Sequence, residues 1–196
     1  DSASGEKVLE VPIGGEPNGL SLSADGKILY VAQRTAGSIA LVDTTRGTIT
    51  GKIPVGTWPV ALAVAKNSKR LYCCNRGNHT VSVVDLVASR EIQQIAVVRD
   101  PAFAAITPDE SRVVVANYMP RGAGTDRTLA AEVSILDAAL LRQVARVQLP
   151  PGSTMAGGVW ASPCGKWAYV VHLLGRFDLP ITQLEQGWVH TCALSI

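Results

Sequence analysis

Short apolar segments separated by turn-forming residues recur along the chain with a fixed period. Pro17, Pro59 and Pro101 lie 42 residues apart. A short apolar segment follows each proline: GLSLS from Gly19, ALAVA from Ala61 and AAITP from Ala104. A fixed period of about 20 to 50 residues is typical of proteins built from repeated structural units. The chain is therefore predicted to be a repeat protein.

Each unit contains four segments that are typical of β-strands. After the first apolar strand comes a turn such as Ala24-Asp25-Gly26-Lys27, whose residue types accept turn dihedral angles at low cost. The second strand is rich in branched and aromatic residues, and the third ends in an aspartate at Asp43, Asp85 and Asp137. The fourth strand alternates apolar and polar residues. We interpret the turn aspartates as turn formers and not as catalytic groups.

One segment is ambiguous between helix and strand. DAALLRQVARVQL, from Asp137, is rich in helix-forming residues. Val147 and Leu149 nevertheless follow Asp137 by the same number of residues as Ile53 and Val55 follow Asp43. We therefore expect a fourth strand here.

Four strands per unit of about 42 residues predict an all-β fold, a β-propeller of four-stranded antiparallel blades. The predicted divisions are an outer strand of a preceding or closing blade (1–16), two blades (17–58 and 59–100), a blade with a long loop (101–155) and an incomplete blade with a long loop (156–196). A seven-bladed ring needs roughly 290 residues, so we expect about four blades of seven.

The opening segment, residues 7–13, matches the outermost strand of a unit whose other strands are missing, while the last unit stops part-way through its third strand. A four-bladed ring closed by strand exchange between the termini is an alternative to an incomplete ring. Otherwise the end blades leave open edges, and self-association through them is expected.

Composition and net charge limit the classes of partner that the chain is expected to bind. Hydrophobic residues make up 47% of the chain, and 18 basic against 16 acidic residues give a net charge of only +2, which does not favour nucleic acid. No apolar run is long enough to span a membrane. The four cysteines show neither CxxC nor CxxCH spacing, so we predict no zinc ribbon, no covalent haem and no other cofactor in this chain.

The units PNGLSLSADGKILYVAQRTAGSIALVD and PVALAVAKNSKRLYCCNRGNHTVSVVD resemble the YVTN family of propeller repeats. Residues 172–188, HLLGRFDLPITQLEQGW, are similar to a stretch of bacterial propeller proteins associated with di-haem cytochrome c peroxidase-like modules. The first resemblance implies a surface-layer-like protein, located in the periplasm or at the cell surface. The second implies an alternative, in which the chain is the propeller portion of a haem-containing oxidoreductase.

A propeller has two rims. We call "loop rim" the side where second-to-third-strand loops and blade-to-blade connections emerge, and "turn rim" the side of the Asp-Gly turns. Long loops on a rigid scaffold commonly carry binding residues, and arginines favour an anionic or carboxylate-bearing partner. The candidate binding residues are Arg34, Trp58, Asn75, Arg76, His79, Tyr118, Arg121, Arg127, His172, Arg176, Trp188 and His190, with Arg99 also on this rim.

Catalytic signatures are weak. GxSxG and HExxH motifs are absent, and the innermost strands offer only Ser21, Ser23 and Thr107 as polar groups, which disfavours a lactonase-like hydrolase. His172, His190 and Cys192 are too few for a convincing metal site. We therefore expect a non-catalytic binding module that presents its loop rim to a protein or cell-surface polymer.

Overall fold

The fold is described from a computed structural model of the chain, and the described residues are 3–175 and 190–196. Their regular secondary structure consists of fifteen β-strands without any helix. Within this part of the chain, accordingly, no helix is long and apolar enough to cross a membrane.

The strands follow one another in four groups. The first blade holds β1 (Pro17–Leu22), β2 (Ile28–Gln33), β3 (Ser38–Asp43) and β4 (Thr48–Pro54). The second holds β5 (Pro59–Ala65), β6 (Arg70–Asn75), β7 (Thr80–Asp85) and β8 (Arg90–Ala96). The third holds β9 (Pro101–Ile106), β10 (Arg112–Asn117), β11 (Glu132–Asp137) and β12 (Arg142–Gln148), and the last holds β13 (Ser153–Ala161), β14 (Ala168–Gly175) and β15 (His190–Ser195).

Each group is a separate antiparallel sheet in which neighbours along the chain are neighbours in space. The first three sheets have four strands and the last has three. Pro17, Pro59 and Pro101 are each the first residue of the innermost strand, so the 42-residue period corresponds to one blade. The predicted all-β fold of four-stranded antiparallel blades is confirmed.

The hydrophobic core lies between successive blades. Between the first two blades, Ile39 and Ile53 pack against Leu71 and Val84. Full burial of one such side chain contributes about 1.5–3 kcal/mol. The second and third strands of a blade are central and buried on both faces, whereas the fourth is an edge strand, which explains its alternation of apolar and polar residues.

The segment after Asp137 is a strand, as its spacing predicts. β12 pairs with β11 along its length, from Asp137 opposite Arg142 to Glu132 opposite Gln148. Pairing with an existing edge and the packing of its inner face override the helical propensity of the isolated sequence.

The prediction of an outer strand at residues 7–13 needs a correction. No strand is present there, and none of the described strands is paired with this segment. Val11 and Ile13 instead pack by their side chains on the first blade, against Val31 and Val42. β15 is hydrogen-bonded to β14 alone, so the strand exchange required by the four-bladed-ring alternative is not seen among the described strands.

Candidate functional site

The loop rim is built from two positions that recur with the 42-residue period. Glu16, Trp58 and Asp100 each precede the proline that opens a blade, and all three have a left-handed backbone, with φ between 50° and 55°. In this conformation their carbonyl groups accept hydrogen bonds from the backbone N–H groups of Arg34, Arg76 and Tyr118, at 3.0, 3.0 and 2.8 Å. These bonds fix the side chains of both positions beside one another.

Arg34 links the first two blades at this rim. Its guanidinium lies 4.8 Å from the centroid of the Trp58 ring, and its Nη1 lies 3.8 Å from a carboxylate oxygen of Glu16. A cation over an exposed aromatic ring is stabilised by about 0.5–1 kcal/mol. Trp58 is itself 49% exposed, so the pair presents a charged and an aromatic surface together.

Arg76 likewise contacts an aromatic ring and a carboxylate, and here both partners belong to the third blade. Its guanidinium lies 4.6 Å from the centroid of the Tyr118 ring, and Nη2 lies 3.5 Å from Oδ2 of Asp100. The side chains of Arg34 and Arg76 remain 42% and 34% exposed. Because guanidinium has five N–H donors in a fixed plane, both arginines can still donate to a carboxylate or phosphate.

His79 stands beside the second of these clusters. The backbone N–H of Asp100 donates to His79 Nδ1 at 3.2 Å, so the proton of a neutral ring is on Nε2. Nδ1 also lies 3.8 Å from Oδ1 of Asp100. His79 is therefore positioned on the loop rim, where sequence analysis expects it.

Asn75, in contrast, is fully buried, and the structure does not support it as an exposed binding residue. Its Nδ2 donates to the hydroxyls of Thr80 and Ser82, at 3.0 and 2.7 Å. Ser82 Oγ in turn accepts from the backbone N–H of Gly56, in the connection from the first blade. Through Ser82, Asn75 thus connects β7 to the blade-to-blade connection that contains Gly56, beneath the loop rim.

His172 occupies the same place in the last blade. It follows the serine of its turn, Ser162, by as many residues as Gln33 follows Ser23. The side chain is 3% exposed, and Nε2 lies 2.9 Å from Ser195 Oγ. His172 is thus a buried structural residue, and the structure does not support it as a binding residue of the loop rim.

The metal site considered for His172, His190 and Cys192 is not formed. His190 pairs with Gly175, three residues from His172, so the two histidines point to opposite faces of the sheet. In the described part of the chain, no three His, Cys, Asp or Glu side chains are grouped to hold a metal ion.

The long loop of the third blade, residues 118–131, adds further charge to the rim. Arg121 and Arg127 are exposed, as is Arg99 in the preceding connection, and none of the three forms a salt bridge with another described residue. A cavity of about 240 Å³ lies between this loop and the last blade, lined in part by Asp126, Leu129 and His190. Arg176 and Trp188 lie outside the described residues.

Two acidic residues of the loop rim are not among the candidates that the sequence predicts. Glu16 and Asp100 are the carboxylate partners of Arg34 and Arg76, yet no motif marks them. Their spacing of 42 residues on either side of Trp58 is the signal that identifies them. The acidic residues of the turn rim have another role: Asp43, Asp85 and Asp137 accept backbone N–H groups of their own turns at 2.8–2.9 Å.

Comparisons with known proteins agree on the fold. A family model described as "Lactonase, 7-bladed beta-propeller" matches residues 10–95, which is less than half of the chain. No curated protein matches the chain. The matching model describes lactonase propellers, so the YVTN resemblance gains no support from it beyond the propeller fold.

Two solved structures are similar. Hydrazine synthase from Kuenenia stuttgartiensis is 22% identical, with a TM-score of 0.59, over 96% of this chain and 64% of that chain. Dihydro-heme d1 dehydrogenase NirN, in complex with DHE, is 20% identical, with a TM-score of 0.64, over 83% of this chain and 34% of that chain. The chain thus spans less than two thirds of either protein, and identities this low show the fold alone. The chain forms part of a β-propeller, consistent with the seven blades of the family model.

Proposed function

We propose that this propeller portion is a non-catalytic binding module whose loop rim holds an anionic protein or cell-surface polymer. The observation that carries the proposal is the pair of arginines stacked on aromatic rings, Arg34 on Trp58 and Arg76 on Tyr118. Stacking holds each guanidinium in one orientation, and such preorganisation lowers the entropy lost when a partner binds.

The exposed arginines of the same rim support an anionic partner. Arg99, Arg121 and Arg127 add three positive charges, and among the described residues of this rim five arginines stand against four carboxylates, Glu16, Asp100, Asp126 and Glu132. Charges on one rim steer an oppositely charged partner to it and set the salt dependence of binding. Carboxylate groups, which arginine contacts through two parallel hydrogen bonds, are the proposed ligands.

The proposal includes a location in the periplasm or at the cell surface, which the YVTN resemblance supports. Cell fractionation of the native host with an antibody against the chain tests this location, and a purely cytosolic signal would contradict it. The alternative, a propeller portion of a haem-containing oxidoreductase, stays a prediction from the resemblance of residues 172–188. A Soret band in the natural full-length protein would favour that alternative.

Fluorescence anisotropy with labelled poly-L-glutamate tests the binding proposal, because this polymer carries only carboxylates. Two double variants remove charge from the loop rim: Arg34→Ala with Arg76→Ala, and Arg121→Ala with Arg127→Ala. Each exposed charge contributes up to about 1 kcal/mol, so we expect Kd to rise roughly 5- to 25-fold in each double variant.

The matched control removes two exposed arginines of the turn rim, Arg46→Ala with Arg142→Ala. These changes alter the net charge equally, so Kd should change little if binding is specific to the loop rim. An equal loss in the control would show that only net charge matters, and dextran, which is neutral, should not bind.

A further inference from the structure

Two positions of the turn rim lie at the boundary between the first and second blades. One opens the second strand of a blade, and the other follows the third strand of the next blade. Here these residues are Ile28 and Leu86, and both pack against the apolar core between the two blades. Apolar side chains therefore satisfy the fold at these positions.

The boundary between the second and third blades has different chemistry at the same two positions. Arg70 is the first residue of β6, as Ile28 is of β2. Ala138 follows the end of β11, as Leu86 follows the end of β7. A long cationic side chain and a methyl group thus replace two branched apolar side chains. The fold does not require this exchange, because the first boundary is formed without it.

The exchange is accompanied by a cleft of about 480 Å³ on the turn rim. The β5–β6 turn lines one side of the cleft, and the β9–β10 and β11–β12 turns line the other. Arg70 Nη1 donates to the carbonyl oxygen of Ala138 at 2.5 Å. The carboxylate of Glu110 accepts the backbone N–H groups of Asn67 and Ser68, both at 2.8 Å. Hydrogen bonds between the two blades therefore hold the walls of the cleft in place.

Most of the hydrogen-bonding capacity that remains in the cleft belongs to donors. Both carboxylate oxygens of Glu110 already accept backbone N–H groups. Asp137 accepts two backbone N–H groups through Oδ1, and its Oδ2 lies 2.8 Å from Nη1 of Arg112. A guanidinium has five N–H donors, and the bonds of Arg70 and Arg112 to backbone and carboxylate oxygens use Nη1 alone. Nε and Nη2 of both arginines are left for a ligand that accepts hydrogen bonds.

The hydroxyl of Tyr72 lies among the same charged groups. Burial raises the pKa of Tyr72, the positive charge of Arg70 opposes this rise, and Glu110 and Asp137 add to it. Among the described residues the hydroxyl has no hydrogen-bond partner of good geometry. Unsatisfied buried hydroxyls are uncommon in folded proteins, so the polar groups around the cleft do not satisfy one another completely.

Positive charge predominates around the cleft. Four segments of the second and third blades form this part of the turn rim: residues 66–70, 85–90, 109–112 and 137–142. Together they contain six lysines and arginines against four aspartates and glutamates. A local excess of positive charge attracts anions to a cleft.

We infer that this cleft binds a small molecule through an oxyanion group, either a carboxylate or a phosphate, which Arg70 and Arg112 hold. Arginine contacts both groups through two parallel hydrogen bonds. The volume of the cleft falls within the range of about 300–1,000 Å³ that is typical of small-molecule sites. The site lies on the rim opposite to the loop rim, so it is separate from the partner surface proposed above.

Amide NMR titrations of the 196-residue protein test the site. Inorganic phosphate is titrated in one series and succinate in another, with the ionic strength held constant by sodium chloride. We expect saturable shifts confined to residues 66–70, 110–112 and 138–139, and the anion with the lower Kd identifies the preferred oxyanion group. If neither anion produces saturable shifts at these residues, the inference is wrong.

Two variants test the cleft through residues that the fold accepts in another blade. Ala138→Leu gives the residue type of Leu86 and narrows the cleft without changing the charge. Arg70→Ile gives the residue type of Ile28 and removes a donor. Each should raise the Kd for the preferred anion by about tenfold or more. Arg46→Ile, which removes an exposed arginine from the turn rim of the first blade, is the matched control and should leave Kd unchanged.

The outcomes separate a specific site from general attraction of anions. An equal rise of Kd in Arg46→Ile would mean that only the net charge attracts the anion, and this would overturn the inference. An unchanged Kd in both cleft variants would overturn it as well. Circular dichroism spectra show whether each variant keeps the fold, and if one cleft variant does not, the other variant decides the result.

Discussion

Gly19 lies in the innermost strand of the first blade and faces the backbone of the second. A Cβ atom at this position would lie 2.3 Å from the carbonyl oxygen of Val60 and 2.8 Å from Cα of Ala61. Both atoms belong to the backbone of β5, so no side-chain rotation can make room. Gly19→Ala is therefore expected to push the first two blades apart.

The magnitude follows from two opposing effects. Overfilling a well-packed region costs about 1–3 kcal/mol, while replacing glycine by alanine recovers about 0.4–1 kcal/mol by restricting the unfolded chain. A net loss of about 1–2 kcal/mol corresponds to a Tm lower by about 2–8 °C in a domain of this size. Gly51→Ala is the matched control, because no atom lies within 4 Å of a Cβ built there.

Thermal unfolding of both variants, followed by circular dichroism at one protein concentration, provides the measurement. Gly51→Ala should melt at or slightly above the temperature of the parent chain, and Gly19→Ala clearly below it. Equal melting temperatures for the two variants would refute the close approach of β1 and β5. The radial arrangement of the blades, and with it the shared loop rim, would then lose its basis.

Three further predictions concern buried and titrating groups. Asn75→Ala removes three hydrogen bonds, two donated by its Nδ2 and one that its Oδ1 accepts from the Cys73 thiol, and it leaves a cavity under the rim. It should therefore lower the free energy of unfolding by about 2–3 kcal/mol in urea titrations, whereas Asn67→Ala at an exposed turn should change it little. The hydroxyl of Thr107, and then that of Ser111, lower the pKa of Asp109 to about 2. Since the folded-state pKa is depressed, ionised Asp109 stabilises the folded state above about pH 4, and this stabilisation is lost as the pH falls towards 2. Asp109→Asn should therefore flatten the decline of Tm in that window. Burial raises the pKa of Cys74 to about 12 and that of Cys73 well above its ordinary value, so a thiol reagent at pH 8 should modify two cysteines in the native protein and four after unfolding. The hydroxyl of Ser162 and the backbone N–H of Lys166 lower the pKa of Cys164, so Cys164→Ser should remove the faster native reaction. Modification of three or four cysteines in the native state would contradict the burial of Cys73 and Cys74.

The fold could be predicted because the same pattern of strands and turns occurs in each 42-residue unit. Pro17, Pro59 and Pro101 mark the same structural position, and the strand pattern recurs around each. The placement of residues 7–13 could be predicted from the alignment of Val11 with Ile53, but their backbone state could not. A strand is assigned by hydrogen bonds to a partner, and the partner is not specified by the segment itself.

The errors at Asn75 and His172 have one physical cause. The sequence pattern places both residues where the second strand is predicted to reach the loop rim, and side chains at such positions are ordinarily close to solvent. Asn75 is buried beside the connection from the first blade, where Gly56 lies next to its side chain. His172 is buried within its own sheet, where β14 continues to Gly175 and Ser195 of β15 contacts the ring. In both cases the burial depends on residues distant along the chain, which a local pattern does not contain.

Comparing equivalent positions between blades separates structural from functional residues better than residue type does. One repeated position of the second strand carries Gln33, Asn75, Asn117 and His172, all of which can donate and accept hydrogen bonds, and all are buried. Uniform chemistry at a repeated position indicates that the fold requires it. The next residue is Arg34, Arg76 or Tyr118, and the residue before each blade is Glu16, Trp58 or Asp100. Their backbone geometry is constant while their side chains differ in charge and aromaticity, so the fold does not dictate this chemistry, and it is at these positions that selection for a partner can act.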